Sequence, residues 1–382
     1  MANQIPCDEF QQRLKNVREA MLRQKLDAMI VFSQKRGHIP YLSGYQPNYH
    51  TNAGLMLITP ERDPTLWIKF AFDLPRAKAT SWVQDVRACA SDDVGEVGAM
   101  VRSCADTIRS LRLENSRIGM VATDLAVDEL SFTFHQQISR DLPEAQLAAA
   151  SDIVNELRLI KSQNEIAVIR QAAQVAELAA ETLRESIRPG IKDRQATAAA
   201  EHTAKLAGAD QCDFFISTDP ELRAFPPSGL EFKAGSPVVF EITVRYGGYW
   251  IQICRVFCLG KPTKQQTSVF EVCRDAYQAS VLAARTGASI DQVADAAQKV
   301  IDEAGFKDCS PYGTGHGVGL DLPELYSVES ACKARLAPGV VLVLHPSIWA
   351  SKQGAAYVGG PIAVTDNGAL HLDTPMSEMV VI

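Results

Sequence analysis

The chain contains no CxxC pair, no long apolar run, no cluster of basic residues and no repeat or low-complexity segment. Each absence removes a class of protein. The nine cysteines are odd in number and scattered, so neither a disulfide framework nor a zinc knuckle is indicated, and reduced thiols are the simpler expectation. Cys254 and Cys258 come nearest in sequence, but four positions apart on a strand they would stand about 13 Å apart, beyond disulfide reach. A membrane span requires roughly 18 apolar residues in a row, and no run approaches that. The opening MANQIPCDEFQQRLKN lacks the basic-then-apolar order of an export signal, so a cytoplasmic protein is expected. A formal net charge of -7 without clustered Lys or Arg suits neither nucleic acid nor a membrane surface. The expected partner is a small molecule.

What is present is typical of a globular protein. Hydrophobic residues make up 46% and charged residues 22% of 382, enough for two domains that each bury a core. Over the first ~150 residues helical and strand patterns alternate, as in an α/β unit. A helix is expected over 8–25, then the strand LDAMIVFS, the loop GYQPNYHTN and the strand GLMLIT. RIGMVA reads as a strand, Leu125–Gln137 as a helix, and a short strand follows near Ala145.

A boundary falls at LRLIKSQNEIAVIRQAAQVAELAAETL. Ser162 with Glu165 three residues on is a capping box, and Ile166, Ile169, Ala173, Ala176, Ala180 and Leu183 recur at helical spacing. Pro189-Gly190 stops this helix, and a second ends near Gly208. VVFEITVRYGGYWIQICRVFCLG then reads as a hairpin. With Gly247 and Gly248 as its two turn residues, Thr243 pairs with Gln252 and Glu241 with Cys254, so all four project from one face. A helical stretch is expected from Thr267 to Ala304, followed by the GTGHGVGL loop and strands near Val340–Leu344 and Pro361–Thr365.

Chemistry concentrates on a few residues. Glu241 lies within the apolar VVFEI. On an inward face its carboxylate must be hydrogen-bonded, protonated or put to use, whereas on an exposed edge it would be unremarkable. Gln252 offers an uncharged amide that both donates and accepts but ligates divalent ions poorly. His316 is flanked by glycines that permit close backbone approach, and an imidazole changes charge around neutrality. The loop also reads GxGxGxG, yet no strand-to-helix context supports a dinucleotide site. His345 ends the apolar VLVLHP, a place where a histidine is ordinarily structural.

The wording LRxIKSxxEIxxIRxA, the hairpin, the GHGxGL-like loop and the VLVLHP strand together resemble the pita-bread family of methionine aminopeptidase, Xaa-Pro peptidases, creatinase and ectoine hydrolase. The likeness is specific over residues 153–262 and 311–367 and architectural before that. It implies an α/β (α+β) fold, with a small creatinase-like mixed domain over 1–152 and a pita-bread catalytic domain over 153–382. It also implies a homodimer. The family's peptidases hold two metal ions through two aspartates, a histidine and two glutamates. At those five positions this chain has Glu241, Gln252, His316, His345 and Gly359. The substrate-facing histidine of a PHxxP-like segment is missing from RAFPPSGLEFKAG, and Pro323 replaces a second family histidine, with Glu324 retained beside it. Matching the YLSGYQPNYHTN segment to the loop that closes creatinase-like sites puts Tyr49, His50 and Asn52 at substrate-contacting places.

The sequence therefore leads to an expectation nearest the family's metal-free members. It is a metal-independent hydrolase of a non-peptide C–N bond, in an amidine, guanidine or cyclic amide, without cofactor. Glu241 is nucleophile or general base, Gln252 orients the substrate, and His316 and His345 move protons, while Tyr49, His50, Asn52 and Glu324 contact substrate. Arg255 faces away by alternation and is expected to be structural. The rivals are a lyase or decarboxylase on the same cleft, an inactive binding protein, and a mononuclear Fe or Zn site on Glu241, His316 and His345. The lost ligands count against a true metallopeptidase.

Overall fold

A computed structural model describes residues 5–47, 52–89, 95–122, 130–219 and 223–382. Two compact units are present, Met1–Arg158 and Leu159–Ile382. In the first, α1 (Cys7–Arg23), β1 (Ala28–Ser33), α2 (His38–Ser43), β2 (Gly54–Ile58), β3 (Thr65–Ile68), α3 (Leu74–Thr80) and β4 (Asp85–Ala88) lead to α4 (Gly95–Ser110), β5 (Arg117–Val121), α5 (Phe132–Asp141), β6 (Gln146–Ala149) and α6 (Ser151–Leu159). The strands form one mixed sheet in the order β4-β3-β2-β1-β5-β6. β1, β5 and β6 run parallel, as βαβ passes require, while β1, β2 and β3 are antiparallel neighbours. The elements β3, β4 and α4 go beyond those expected from the sequence. Of the helix expected over Leu125–Gln137, residues 125–129 lie outside the described residues and α5 supplies the rest.

The second unit begins with the capped helix α7 (Gln163–Ser186). Ser162 Oγ accepts from Glu165 N at 3.1 Å, and Glu165 Oε2 accepts from Ser162 N at 3.0 Å. The other carboxylate oxygen accepts from Tyr249 Oη at 3.0 Å, so the cap also ties the helix to the hairpin it covers. All six apolar positions read from the sequence are buried. Then come α8 (Asp193–Leu206), β7 (Gln211–Ser217), β8 (Pro237–Tyr246) and β9 (Tyr249–Cys258). Gly247 and Gly248 have φ of 55° and 87°, the pair of positive values that a two-residue type I′ turn demands. The register follows from that turn: Thr243 pairs with Gln252 and Glu241 with Cys254.

The expected helical stretch from Thr267 to Ala304 is two helices, α9 (Lys264–Ala283) and α10 (Ile290–Glu303). Gly287 takes φ +82° between them, and a Ser289/Gln292 capping box restarts the helix. The remaining strands are β10 (Gly315–Gly317), β11 (Glu324–Val328), β12 (Val341–Leu344), β13 (Ser347–Ala350), β14 (Gly354–Tyr357), β15 (Gly360–Thr365), β16 (Gly368–His371) and β17 (Val380–Val381). They assemble as sheets β17-β9-β8-β7 and β11-β10-β12-β15-β16 and the hairpin β13-β14. A bridge between Cys254 and Gly359 joins the two larger sheets. α9 and α10 pack on an apolar core built from β9, β12, β14 and β15 that includes Cys254, and the polar residues described next lie on the same face of the hairpin as that cysteine. Among the described residues, no helix is long and apolar enough to cross a membrane.

Candidate active site

Strand alternation places Glu241 and Thr243 of β8 beside Gln252 and Cys254 of β9, with Phe215 of β7 opposite Glu241 and Asp213 opposite Thr243. Three further segments converge on this face. β10 presents His316, the end of β12 presents His345, and the end of β14 presents Tyr357. The His316 and His345 rings meet edge to face at 5.2 Å, and His345 meets Tyr357 at 5.3 Å. Gln252 links them: its Oε1 lies 3.1 Å from His316 Nε2 and its Nε2 lies 3.4 Å from Tyr357 Oη. Glu241 accepts a hydrogen bond from Thr243 Oγ1 at 3.2 Å.

Burial drives every titratable group here toward its neutral form. Desolvation raises the Glu241 carboxyl against the opposing hydrogen bond of Thr243. It lowers His316, and takes His345 down to about 3 with help from its imidazole neighbour. Cys254 and Tyr357 are pushed up and keep their protons. His345 Nδ1 is buried without a hydrogen-bond partner.

A cavity of about 530 Å³ opens beside this cluster. Glu241 and Thr243 form part of its wall, and Phe215, Pro226, Pro227 and Trp250 give it apolar flanks. A cleft of this size and lining suits a small molecule of dipeptide dimensions.

The structure thus brings together four of the residues singled out from the sequence: Glu241, Gln252, His316 and His345. It adds Tyr357, which no motif announces, and the cleft wall. Asn52 is fully buried in the first unit, where its amide donates to Tyr45 Oη and Asp73 Oδ2 and its oxygen accepts from Ala53 N. Glu324 pairs with Lys161 Nζ at 2.5 Å in a buried ion pair. Tyr49 and His50 lie outside the described residues. Arg255 is structural as expected: it donates to the Gly359 carbonyl at 2.6 Å and pairs with the buried Asp373.

A mixed creatinase-like sheet followed by a pita-bread domain that carries a polar cluster defines the fold class. Residues 167–366 match Metallopeptidase family M24, and residues 13–160 match the Creatinase/Prolidase N-terminal domain. The chain belongs to the M24 family. It is 25% identical over 377 residues to an Xaa-Pro dipeptidase of Pyrococcus horikoshii, covering 98% of this chain and 100% of that one. It is 24% identical to the Xaa-Pro dipeptidase of Pyrococcus furiosus, covering 97% and 100%. The solved prolidase of Pyrococcus horikoshii superposes with a TM-score of 0.84 at 24% identity, covering 97% and 100%.

These findings correct the sequence expectations. A hydrolase restricted to non-peptide C–N bonds is overturned, because the relatives are named as Xaa-Pro dipeptidases. A metal-independent enzyme without cofactor is overturned as well, because the family is one of metallopeptidases. The likeness found is accordingly to Xaa-Pro dipeptidases and not to the creatinase or ectoine hydrolase type.

The five family ligand positions of this chain nevertheless do not compose a two-metal site. Only Glu241 can supply a negative charge. Gln252 is a neutral amide committed to His316 and Tyr357. At Gly359 a Cβ would stand 2.0 Å from the Leu344 carbonyl oxygen and 2.6 Å from His345 Cα, so the backbone itself fills the place of a fifth ligand. The expected mononuclear set fails on geometry. Among the described residues, no three His, Cys, Asp or Glu side chains are disposed to hold an ion. No step below is routed through a metal.

Proposed function

We propose that this chain acts on short peptides, with the Xaa-Pro bond as the preferred target, in the cleft beside Glu241. The observation that carries this reading is the placement of Glu241, a desolvated carboxylate on the wall of a cavity of about 530 Å³ flanked by prolines and aromatic rings. Whole-length similarity to Xaa-Pro dipeptidases supports the substrate class.

The chemistry follows from the protonation states. Ionised Glu241, whose pKa burial raises, takes a proton from a water attacking the scissile carbonyl, and then returns it to the departing proline nitrogen. The products are an amino acid and a free imino acid, with one water consumed. Thr243 holds the carboxylate during both transfers. His345 stays uncharged throughout.

A second reading is binding of the same peptides without cleavage. The closed backbone at Gly359 favours it, since that slot cannot regain a ligand without moving two strands. One experiment separates the two. Ala-Pro and Gly-Pro are titrated calorimetrically and assayed for released proline, with the protein as purified, after chelation, and with divalent ions added. Proline release that falls more than about 100-fold in Glu241→Gln supports hydrolysis. Binding with no release under any condition supports the second reading, and neither binding nor release sinks both.

A further inference from the structure

β7 is the edge strand of its sheet, so the backbone groups on its outer side have no strand beyond them. Which residues point outward follows from the hydrogen bonds. Ile216 N donates to the Phe225 carbonyl at 2.8 Å, and Phe225 N donates back to Ile216 O at 3.2 Å, so the Ile216 backbone faces away from β8. Period-two alternation turns the N–H and C=O of Phe214 and Cys212 outward as well. The inner side agrees. Cys254 exchanges its backbone bonds with Gly359 at 2.9 and 3.1 Å, which leaves its partner Glu241 to bond with Phe215 of β7.

The chain's own sequence explains why the rest of this edge is open. Continued at the Ile216–Phe225 register, the outer segment would set Pro227 opposite Phe214 and Gly229 opposite Cys212. Proline has no N–H to give a ladder, and the segment turns away. The N–H groups of Ser228 and Gly229 donate instead to Asp193 at the start of α8, at 3.1 and 2.6 Å. Among the described residues, no backbone group pairs with the outward side of Phe214 or Cys212. Both residues line the cavity, whose wall also takes in Glu201 of α8, Pro227 and Glu241.

We propose that the outer edge of β7 at Cys212–Phe214 is a docking rail for the backbone of an extended peptide whose reacting bond lies at Glu241. A residue of the peptide exchanges both backbone hydrogen bonds with Phe214, as Phe225 does with Ile216. Strand addition of this kind supplies affinity through main-chain groups, whatever the side chains. Reach sets the length. Glu241 stands one strand inside β7 and an added strand lies one spacing outside it, about 10 Å away in all. An extended dipeptide spans only ~7 Å, so further residues are needed to engage the rail. Charge selects the end that docks. The cavity wall carries Glu201, Asp213 and Glu241 and no basic side chain, which favours the ammonium end of a peptide and disfavours a second copy of a chain with net charge -7. The proposal rests on the peptide reading above, and adds that residues ahead of Xaa-Pro strengthen binding.

The test uses the full-length protein and compares Ala-Pro with Ala-Ala-Ala-Pro by calorimetry and by proline release. The longer peptide should bind about 10-fold more tightly, as one or two added backbone hydrogen bonds provide. Replacing the amide between its first two residues by an ester removes one N–H with little change of shape, and should lose most of that gain. Labelling with 15N-phenylalanine, with the Phe214 signal assigned by Phe214→Leu, reads the rail directly. Saturation with Ala-Ala-Ala-Pro should shift the Phe214 amide signal and slow its exchange at least about fivefold, while Ala-Pro should leave it unmoved. Equal affinities, an ester as tight as the amide, or an unmoved Phe214 amide at saturation overturns the inference and leaves the dipeptide reading standing. Failure of both peptides to bind sinks the two together. Tighter, ester-sensitive binding without proline release supports the rail and removes hydrolysis.

Discussion

His345 carries the clearest pH signature of any single residue here. Burial holds its folded-state pKa at about 3 against an ordinary 6.5, so between those values the unfolded chain binds a proton that the folded one does not. Its contribution to stability is complete above pH 6.5 and is lost as the pH falls toward 3, at up to ~1.4 kcal/mol per pH unit. Glu241 has the opposite sign: its folded pKa is raised, so its contribution is present in acid and is lost as the pH rises through the folded value. His345→Leu, close in volume and without the unpartnered Nδ1, should therefore flatten the acid side of the stability curve. Urea midpoints measured from about pH 7 to pH 5 check this, and an unchanged slope would show that His345 is not held neutral. At the same scale, Glu241→Gln should abolish turnover while peptide binding persists, as calorimetry beside the proline assay would reveal.

At the scale of elements, the hairpin and its covering helix set the site and the strand ends complete it. Ser162→Ala removes one half of the capping box that also anchors Tyr249, and should cost about 1 kcal/mol. A thermal or urea midpoint reports it, with no change expected in the cleft. Gly359→Ala is far more severe, since its Cβ would collide with backbone from Leu344 and His345. Relief requires β12 and the segment before β15 to separate, and a loss of several kcal/mol is expected, in the range reserved for overpacking and strain. A Gly359→Ala protein with a natural melting midpoint would show that the slot is open after all. The hairpin was legible because two adjacent glycines and a period of two leave a single register. The break between α9 and α10 was not, because Ala-rich sequence on both sides of Gly287 keeps a helical pattern across it.

For the whole molecule, two compact units of unequal size are built from one chain with a net charge of -7. The dimer implied by the family resemblance predicts a mass about twice 41.6 kDa by light scattering. A monomeric mass across a dilution series would remove it. By itself the sequence determined the two-domain α/β class, the capped helix, the strand alternation that aligns Glu241 with Gln252, and the identities of four side chains in the site. These are local or periodic properties, set by backbone geometry within a few residues. Only the tertiary structure decided how those side chains are used. Tyr357 reaches Gln252 because the chain after β14 runs past Cys254, a non-local approach that no spacing along the chain encodes. Glu324 and Asn52 look like substrate contacts in one dimension, yet Lys161 and Asp73 claim them in three. A buried polar group is satisfied by whichever partner folding brings to it, and for Gln252 those partners are a histidine and a tyrosine from distant segments.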